Sequence, residues 1–324
     1  MNNTTKKVLL ASCAAAGAAA AATAASFVTA DLLSRIALDR EAPKFLGKVN
    51  RLISGSRKQS SLRDQKQEAA LRLEKTGNEL VRITSRDGVA LTGHWIAQKD
   101  PKRVIIAMHG WRSSWSWDFG VPSEFWAQSG CSVLYAEQRG QGESGGDYMG
   151  FGLTERYDCL DWIQWVTGRC GGSVPVYLAG VSMGATTVLM AGGLTLPENV
   201  RGILADCGFT SPHAIWKHVA RDNLHMAFGL HGAMADAIYH KKNPLASAEE
   251  STVDALRGCS VPVLFIHGTD DTFVPVEMTY ENYKACASPK KLLIVPGAGH
   301  AMSYCVDPES YRAATAEFWK RFDS

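Results

Sequence analysis

Two kinds of motif are missing from the sequence, and each absence excludes a class of function. No glycine-rich loop ends in Lys-Ser or Lys-Thr, so a P-loop nucleotide site has no support. No C-x-x-C pair occurs, which argues against a zinc site of that type and against a thioredoxin-like redox site. We expect no cofactor. We also expect no metal, because no two neighbouring histidines of the following set have the four-residue spacing of a helical metal pair. These histidines are His213, His218, His225, His231 and His240.

The chain also has a net charge close to zero and no evident internal repeat. The chain has 34 Lys and Arg residues against 32 Asp and Glu, which gives a net charge of +2. There is no basic stripe interleaved with aromatic residues, so we expect no nucleic-acid partner. What the chain does have is 324 residues with 46% hydrophobic content. That is enough for one α/β domain of roughly 250 residues with a sizeable core.

The eight cysteines do not form the pattern of a disulfide framework. Apart from Cys13 they number seven, which is odd, and Cys131 and Cys207 lie at the ends of apolar, strand-like runs, as buried thiols often do. This pattern favours reduced thiols and a reducing environment, such as the cytosolic side of a membrane.

The longest uncharged run lies at the N-terminus. Residues 8–30 contain no charged side chain and are long enough to cross a bilayer as one helix, although alanine dominates them. We favour a membrane anchor or signal segment over 1–30 that is retained as a single-pass anchor. A signal peptide cleaved after Val28-Thr29-Ala30 and a lipoprotein signal at Cys13 are the alternatives. Basic residues flank the run on both sides, so its orientation stays open.

The remainder of the chain divides into two parts. Residues 31–78 are charged and helix-prone and predict a helical connector. Residues 79–324 alternate apolar, β-branched runs with helical segments, which predicts an α/β fold with an eight-stranded, mostly parallel sheet and helices on both faces. The first two runs flank the turn signal Arg86-Asp87-Gly88 and predict an antiparallel hairpin. The predicted strands cover 79–85, 89–97, 103–109, 131–137, 174–180, 201–207, 261–267 and 291–296.

One connection is too long for a tight crossover between strands. Residues 208–258, between the sixth and seventh predicted strands, are helix-prone and amphipathic, and they include Trp216. An insert of this size often serves as a lid over a site. The alternative is a pair of helices that packs on the edge of the sheet.

A serine stands between two glycines directly after the fifth predicted strand. Gly180-Val181-Ser182-Met183-Gly184 matches G-x-S-x-G and is followed by a small-residue helical segment. A strand-to-helix turn this sharp leaves no room for a side chain at either glycine position, and it holds the serine above the sheet. The pattern predicts Ser182 as a nucleophile, against the simpler interpretation as a turn residue.

A serine nucleophile needs a base and an orienting acid, and suitable residues follow the last two strands. Asp271 lies in HGTDDTFVP, and His300 lies in the glycine-rich stretch GAGHAMSY. Both loops should reach the carboxyl edge of the sheet, where Ser182 lies, in the chain order expected for this arrangement. We therefore predict Ser182, Asp271 and His300 as a catalytic triad.

The identity of the acid depends on the register of its motif. H-G-x-x-D-x-x-V-P fits the sequence with Asp271 as the acid, which leaves Asp270 as a turn or capping residue. Asp206, after the sixth strand, is an alternative third member, although a polar role at the end of that strand suits it better.

The oxyanion formed by nucleophilic attack needs backbone N–H donors. Met183 opens the helix after the nucleophile, so its amide points to the place where the oxyanion would form. The second donor should come from the loop after the third strand, where MHGWRSSWSWDF offers the amide of Trp111. His109 in this loop could be mistaken for the base, but we expect it to order the loop.

Tryptophans gather close to the predicted site. Trp115 and Trp117 follow Trp111 in the same loop, and Trp216 lies in the insert. We predict that Trp115, Trp117 and Trp216 contact the substrate. Packing of the loop tryptophans against the body of the protein explains the first two equally well.

Taken together, these motifs resemble the α/β-hydrolase superfamily, from about Glu79 to the C-terminus. GVSMG, MHGW, HGTDDTFVP and GAGH are similar to its serine-aminopeptidase-like (monoacylglycerol-lipase-like) branch, and closest to bacterial hydrolases with an N-terminal membrane anchor. The resemblance implies the triad and oxyanion hole predicted above, and it slightly favours an extracytoplasmic location. EQRGQG (137–142) departs from the family pattern, because relatives often carry Asp before, and His within, this stretch.

The predicted chemistry is acyl transfer to water. We expect a serine hydrolase that cleaves carboxylic esters, with a small-molecule acyl ester or a lipid-like ester as substrate. The insert is apolar, and the uncharged N-terminal run would attach the chain to a membrane. A serine peptidase or amidase is the alternative, and it would need a carboxylate to hold a substrate amino terminus. Glu155, Asp158 and Asp222 are candidates for that role. A non-catalytic binding protein on this fold ranks below both, because the triad is complete.

Overall fold

The computed structural model describes residues 23–41 and 60–323. One eight-stranded sheet contains β1 (Glu79–Thr84), β2 (Ala90–Ile96), β3 (Arg103–Met108), β4 (Cys131–Ala136), β5 (Val176–Val181), β6 (Val200–Asp206), β7 (Val263–Gly268) and β8 (Lys290–Val295). The strand order is β1-β2-β4-β3-β5-β6-β7-β8; β2 runs antiparallel to β1 and β4, and the other neighbours are parallel. The predicted sheet is confirmed, with every strand end within two residues of its expected position.

Helices occupy the connections between these strands. In chain order they are α1 (23–38), α2 (Ser60–Lys75), α3 (Trp115–Gln128), α4 (Glu155–Cys170), α5 (Met183–Gly192), α6 (Pro212–His218), α7 (Gly229–Lys242), α8 (Thr252–Arg257), α9 (Val276–Ala285), α10 (Ser303–Val306) and α11 (Pro308–Phe322). A π-helical turn, Val219–Asn223, follows α6 directly.

The central strands are buried on both faces, because a helical layer covers each side. Every residue of β3, β4, β5 and β7 is buried. Ile106 belongs to the apolar cluster on one face, together with Trp162 of α4. Its neighbour Ile105 belongs to the cluster on the other face, together with Trp126 of α3 and Phe318 of α11. Burial of each such side chain contributes about 1.5–3 kcal/mol. Two-sided burial explains why these strands are continuous apolar runs in the sequence.

The helix α1 runs through the position at which the predicted anchor ends. Its described part covers 23–38, and both Ala30 and Leu38 are fully buried. Residues 1–22 of the predicted anchor lie outside the described residues. Within the described ranges, no helix is both long enough and apolar enough to cross a membrane.

The helix α2 belongs to the predicted connector and packs along α3. An added side-chain carbon at Gly120 of α3 would lie 2.6 Å from the backbone nitrogen of Ala70, so the two helices approach too closely for any larger residue. The side chains of Lys66 in α2 and Asp118 in α3 are both buried and form an ion pair, with Nζ 3.7 Å from Oδ1. The division of the chain into anchor, connector and sheet domain stays a prediction.

The long insert contains α6, the π-helical turn, α7 and α8. Ser211 and Ser251 begin α6 and α8, because each hydroxyl accepts a hydrogen bond from the backbone N–H three residues later, at 3.0 and 3.1 Å. Trp216 of α6 and Tyr239 of α7 meet edge to face, with ring centroids 5.4 Å apart. The lid function of this insert also stays a prediction.

The seven cysteines in the described ranges carry free thiols, and five of them are buried. Burial raises the pKa of the Cys131 thiol to about 11, which keeps it protonated and poorly reactive at neutral pH. Cys13 lies outside the described residues.

Candidate active site

The turn between β5 and α5 holds Ser182 in a strained conformation. Its φ of 56° and ψ of −118° lie outside the regions that residues with side chains favour. Added carbons at Gly180 and Gly184 would lie 2.2 Å from Gly184 O and 1.8 Å from Met108 O, respectively. Both distances are impossible, so the two glycines are a steric requirement of this turn. Strain of this kind costs on the order of 1–3 kcal/mol, which the buried sheet around it offsets.

The three residues of the predicted triad meet at the carboxyl edge of the sheet. Ser182 Oγ lies 2.9 Å from His300 Nε2, and His300 Nδ1 lies 2.7 Å from Asp271 Oδ2. Because a carboxylate can only accept, Nδ1 carries the proton, and Nε2 is left to accept from the serine hydroxyl. A nucleophile, its base and an orienting acid require this geometry.

Asp271 is fixed by the backbone and by a histidine that the sequence analysis did not single out. Asp271 Oδ1 accepts from the amides of Phe273 and Val274, both at 2.9 Å. His267 Nε2 lies 3.1 Å from Asp271 Oδ2 and 3.0 Å from Val274 O. Since both are acceptors, Nε2 carries the proton, and Nδ1 accepts from the Thr279 hydroxyl at 2.6 Å. A signal for His267 was present, because it opens the H-G-x-x-D motif.

The other two candidate acids point to different partners. Asp270 accepts a hydrogen bond from the hydroxyl of Thr269 at 2.9 Å. The buried carboxylate of Asp206 accepts from the hydroxyl of Ser303 at 2.9 Å, and burial raises the pKa of Asp206 to about 6. Asp271 is therefore the carboxylate that hydrogen-bonds to His300.

The charges of His300 and Asp271 stabilise each other. Burial alone would lower the pKa of His300, but the charge of Asp271 and the hydrogen bond between the two groups hold that pKa well above its ordinary value. Burial alone would raise the pKa of Asp271, but the charge of His300 and hydrogen bonds from both neighbouring histidines hold it well below its usual range. Asp271 stays ionised at neutral pH and favours the protonated form of His300.

The loop after β3 passes close to Ser182. An added carbon at Gly110 would lie 3.3 Å from Ser182 Cβ, which leaves little room for a larger residue. The amide of Gly110 donates to Asp118 Oδ2 at 2.7 Å, and this bond holds the loop in place. Trp111 follows directly, whereas Met183 is the first residue of α5, where helical N–H groups have no partner within the helix. The amides of Trp111 and Met183 stay the predicted oxyanion donors.

His109 is buried beneath this loop, and both of its ring nitrogens hydrogen-bond to backbone groups. Its Nε2 accepts from the amide of Gln138 at 3.2 Å, and its Nδ1 lies 2.9 Å from Gly110 O. Burial lowers the pKa of His109, so the ring is neutral. These contacts order the loop.

A cavity of about 160 Å³ opens beside Ser182. Its walls come from the insert, from loops at the carboxyl edge of the sheet and from α1. None of the described residues that line it is Asp, Glu, Lys or Arg. The aromatic residues among them are Trp111, Phe151, Phe209, Trp216, Phe228 and Phe273. Such a wall binds hydrocarbon surface, at about 25 cal/mol for each Å² removed from water.

Two of the predicted substrate contacts are corrected by the position of α3. Trp216 lines the cavity, but Trp115 and Trp117 do not. Trp115 is buried and stacks on His94, with ring centroids 4.1 Å apart. The ammonium of Lys66 lies 5.3 Å from the ring centroid of Trp117. Because α3 begins at Trp115, the ring of Trp115 points towards the core and that of Trp117 towards α2. Both tryptophans therefore pack against the body of the protein, which was the alternative to substrate contact.

The carboxylates considered for a substrate amino terminus are engaged elsewhere. Glu155 is fully buried and accepts from two backbone amides, at 2.6 and 2.8 Å. Asp158 pairs with Arg139 at 2.5 Å, and Asp222 pairs with His218 at 2.8 Å. None of these three acids lines the cavity beside Ser182.

The loop after β4 contains the stretch that departs from the family pattern. Residues 140–145 read GQGESG, which has the glycine spacing of a dinucleotide fingerprint, but they form turns and do not open a helix. An added carbon at Gly142 would lie 2.2 Å from Glu137 Oε2, and Glu137 Oε1 lies 3.0 Å from His94 Nε2. Gly142 lets the loop close around the Glu137 side chain, and the stretch lacks the strand-to-helix context of a dinucleotide fingerprint.

One group of side chains in the described ranges has metal-capable atoms close together, namely Cys207, Asp271 and His300, within 4.8 Å. Asp271 and His300 already hydrogen-bond to each other. Burial raises the pKa of the Cys207 thiol to about 11, so this thiol is protonated at neutral pH. A metal would have to replace these contacts, and the group suits proton transfer better than metal binding.

Comparison with known sequences identifies similar proteins. Residues 104–317, more than half of the chain, match the family described as the alpha/beta hydrolase family. The uncharacterized protein YqkD of Bacillus subtilis is 27% identical over 73% of this chain and 77% of its own length. The bifunctional esterase/perhydrolase DCH of Acinetobacter calcoaceticus is 24% identical over 68% of this chain and 92% of its own length.

Solved structures show the same fold. The Pyrococcus furiosus esterase Pf2001 superposes with a TM-score of 0.62 at 24% identity, over 83% of this chain and 98% of its own. The esterase EaEST from Exiguobacterium antarcticum gives a TM-score of 0.55 at 19% identity, over 74% of this chain and 99% of its own.

Proposed function

Since the chain belongs to the α/β hydrolase family, we propose that it is a serine hydrolase that cleaves carboxylic esters through an acyl-enzyme on Ser182. The distances of 2.9 and 2.7 Å that join Ser182, His300 and Asp271 support this assignment. Esterases among the similar proteins support the same reaction class.

In the proposed mechanism, His300 takes the hydroxyl proton while Ser182 attacks the ester carbonyl. Asp271 keeps the imidazole in the correct tautomer and stabilises the imidazolium that forms. The amides of Trp111 and Met183 bind the oxyanion, and loss of one such donor typically costs about 10²–10³ in rate. His300 then protonates the leaving alcohol and activates water, which releases the acid and restores Ser182.

The observation that carries the choice of substrate is the absence of Asp, Glu, Lys and Arg from the described lining of the cavity beside Ser182. A cavity of this kind holds the apolar acyl or alcohol chain of an ester, and the insert that forms part of its wall would act as the lid. A peptidase that recognises an amino terminus would need a carboxylate, and the three candidates are engaged in other contacts. A non-catalytic binding role does not explain why Ser182, His300 and Asp271 are joined by hydrogen bonds.

The test is a comparison of p-nitrophenyl acyl esters with aminoacyl anilides, using the full-length chain and its Ser182→Ala variant. We expect wild-type protein to hydrolyse the esters at least about 10²-fold faster than the anilides, and Ser182→Ala to be inactive on both. Preference for the anilides would replace the esterase proposal with the peptidase one. Ester turnover that survives Ser182→Ala would contradict the proposed nucleophile.

We also propose that the uncharged run 8–30 attaches the chain to a membrane. Its composition supports this, and so do the exposed side chains of Phe27 and Val28 at the described start of α1. Because Ala30 is buried, the inserted part would end before it. Two arginines, introduced by Leu10→Arg and Ala16→Arg, should move the protein from the membrane fraction to the soluble fraction. Unchanged fractionation would contradict the proposed anchor.

A further inference from the structure

The helix α1 presents one regular face to the cavity beside Ser182. Ala30, Leu33, Ser34 and Ala37 line that cavity, and their spacing of three, four and seven residues defines a single stripe on an α-helix. Ile36 also lines the cavity, from a position beside this stripe. Leu32, on another side of the helix, is 40% exposed and does not line the cavity. The wall that α1 supplies is therefore an ordered helical surface made of small and medium-sized side chains.

The position of α1 is fixed by the loop that carries the proposed oxyanion donor. Trp111 Nε1 donates to Ala37 O at 2.8 Å. The guanidinium of Arg112 donates to the carbonyl of Ile36 at 2.9 Å and to that of Asp39 at 2.6 Å. The last carbonyls of a helix have no partner within the helix and carry partial negative charge, so a cation there is favourable. These bonds place the stripe on α1 at a defined distance from Ser182.

We propose that α1 is the wall of the substrate pocket that limits the length of the apolar chain of the ester. This rests on the proposed ester hydrolysis and adds the residues that set its selectivity. A cavity of about 160 Å³ is close to the roughly 150 Å³ of an engineered apolar cavity that holds one benzene molecule. The preferred chain therefore has on the order of six carbon atoms.

Substitutions at Leu33 and Ala37 should change the length of the pocket in opposite directions. Leu33→Ala removes most of the largest side chain in the stripe and lengthens the pocket, whereas Ala37→Leu fills part of it. Leu32→Ala makes the same change as Leu33→Ala, one position away, on a side chain outside the pocket. This variant controls for effects of the substitution on the stability of α1.

The experiment measures kcat/KM for the full-length chain and these three variants on two series of esters. One series varies the acyl chain of p-nitrophenyl esters from two to twelve carbons, and the other varies the alcohol chain of alkyl acetates over the same range. We expect Leu33→Ala to raise the ratio of ten-carbon to six-carbon substrates by about tenfold in one series, because a hydrophobic pocket discriminates one or more methylenes by about that factor. Ala37→Leu should lower the same ratio, and Leu32→Ala should leave it unchanged. The series that responds tells whether the pocket holds the acyl or the alcohol chain.

Several results would overturn the inference without affecting the proposed function. Identical chain-length profiles for all four proteins, with ester turnover and Ser182 labelling by a fluorophosphonate retained, would show that α1 does not limit the substrate. An equal response to Leu32→Ala and Leu33→Ala would show a general effect of loosening the helix. If wild-type protein neither turns over any ester nor reacts with the fluorophosphonate, the proposed function fails, and this inference fails with it.

Discussion

Two regions of the site are held in place by different kinds of contact. The edge is the carboxyl edge of the sheet, which carries Ser182, Asp271 and His300, and the cover is α1 (23–38), which forms one wall of the pocket. At the edge, the glycines beside Ser182 are sterically required, and Asp271 accepts from two backbone amides. On the cover, α1 is held by side chains that donate to its last carbonyls, and its outer side chains are exposed. Contacts of the first kind tolerate almost no substitution, whereas those of the second tolerate many. Under our proposals, the chemistry lies in the rigid edge and the selectivity in the replaceable cover.

The largest effect should follow from a change of the acid at the edge. Asp271→Asn should lower kcat by about 10⁴, because the amide no longer enforces the tautomer of His300 that accepts a proton from Ser182. Asp270→Asn, one residue away, should change kcat by no more than a few-fold, since the carboxylate of Asp270 accepts its hydrogen bond from the Thr269 hydroxyl and not from His300. Equal losses in the two variants, measured by steady-state ester hydrolysis, would mean that the acid is misassigned.

A methyl group at the turn should destabilise the whole protein. Gly184→Ala places a carbon 1.8 Å from the carbonyl of Met108, and we expect a loss of more than about 4 kcal/mol in the free energy of unfolding. Gly168→Ala in α4 is the matched control, because an added carbon there meets nothing within 4 Å. It should be neutral or stabilise by up to about 1 kcal/mol. Urea unfolding followed by circular dichroism measures both, and similar midpoints for the two variants would contradict the steric account.

The charge of Asp271 should be visible in the pH dependence of the rate. His300 must be neutral to accept the proton, so kcat/KM falls about tenfold for each pH unit below its pKa. Because Asp271 raises that pKa, the acid limb should lie above the ordinary histidine value of about 6.5. Titration from pH 5 to 9 with a p-nitrophenyl ester measures this limb. An acid limb below pH 6.5 would show that burial outweighs the carboxylate.

The smallest effect should come from the hydrogen bonds by which Arg112, in the loop after β3, holds α1. Arg112→Ala removes the donors to the carbonyl of Ile36 in α1 and to that of Asp39 directly after it. It should lower the free energy of unfolding by about 1–2 kcal/mol, with a modest rise in KM for esters. Arg82→Ala is the control, because its ion pair with Glu143 is largely exposed and contributes little. Equal melting temperatures for the two variants would mean that Arg112 does not hold α1.

The residues of the edge were predictable because each has a local requirement that a motif records. Parallel strands buried on both faces are continuous apolar runs, and their carboxyl ends meet, so Ser182, Asp271 and His300 could be expected together. His267 was missed although it stands in the same motif. Its role depends on a contact with Asp271 Oδ2, the same oxygen that His300 contacts, and a motif does not record such contacts.

The residues of the cover were not predictable, because composition alone does not distinguish one apolar environment from another. Ala30 suits a membrane anchor as well as a pocket wall, and only the docking of α1 separates the two. The rings of Trp115 and Trp117 lie near the site in sequence, but their direction depends on the residue at which α3 begins. Side chains on an amphipathic helix take their role from what the helix packs against.

The central claim is that the hydroxyl of Ser182 is activated by its contact with His300. Reaction of the full-length protein with a fluorophosphonate, followed by peptide mass spectrometry, tests this claim directly. The account predicts a single adduct on Ser182, with labelling abolished in Ser182→Ala and strongly slowed in His300→Ala. Absence of any adduct in wild-type protein, or an adduct on another residue, would contradict it.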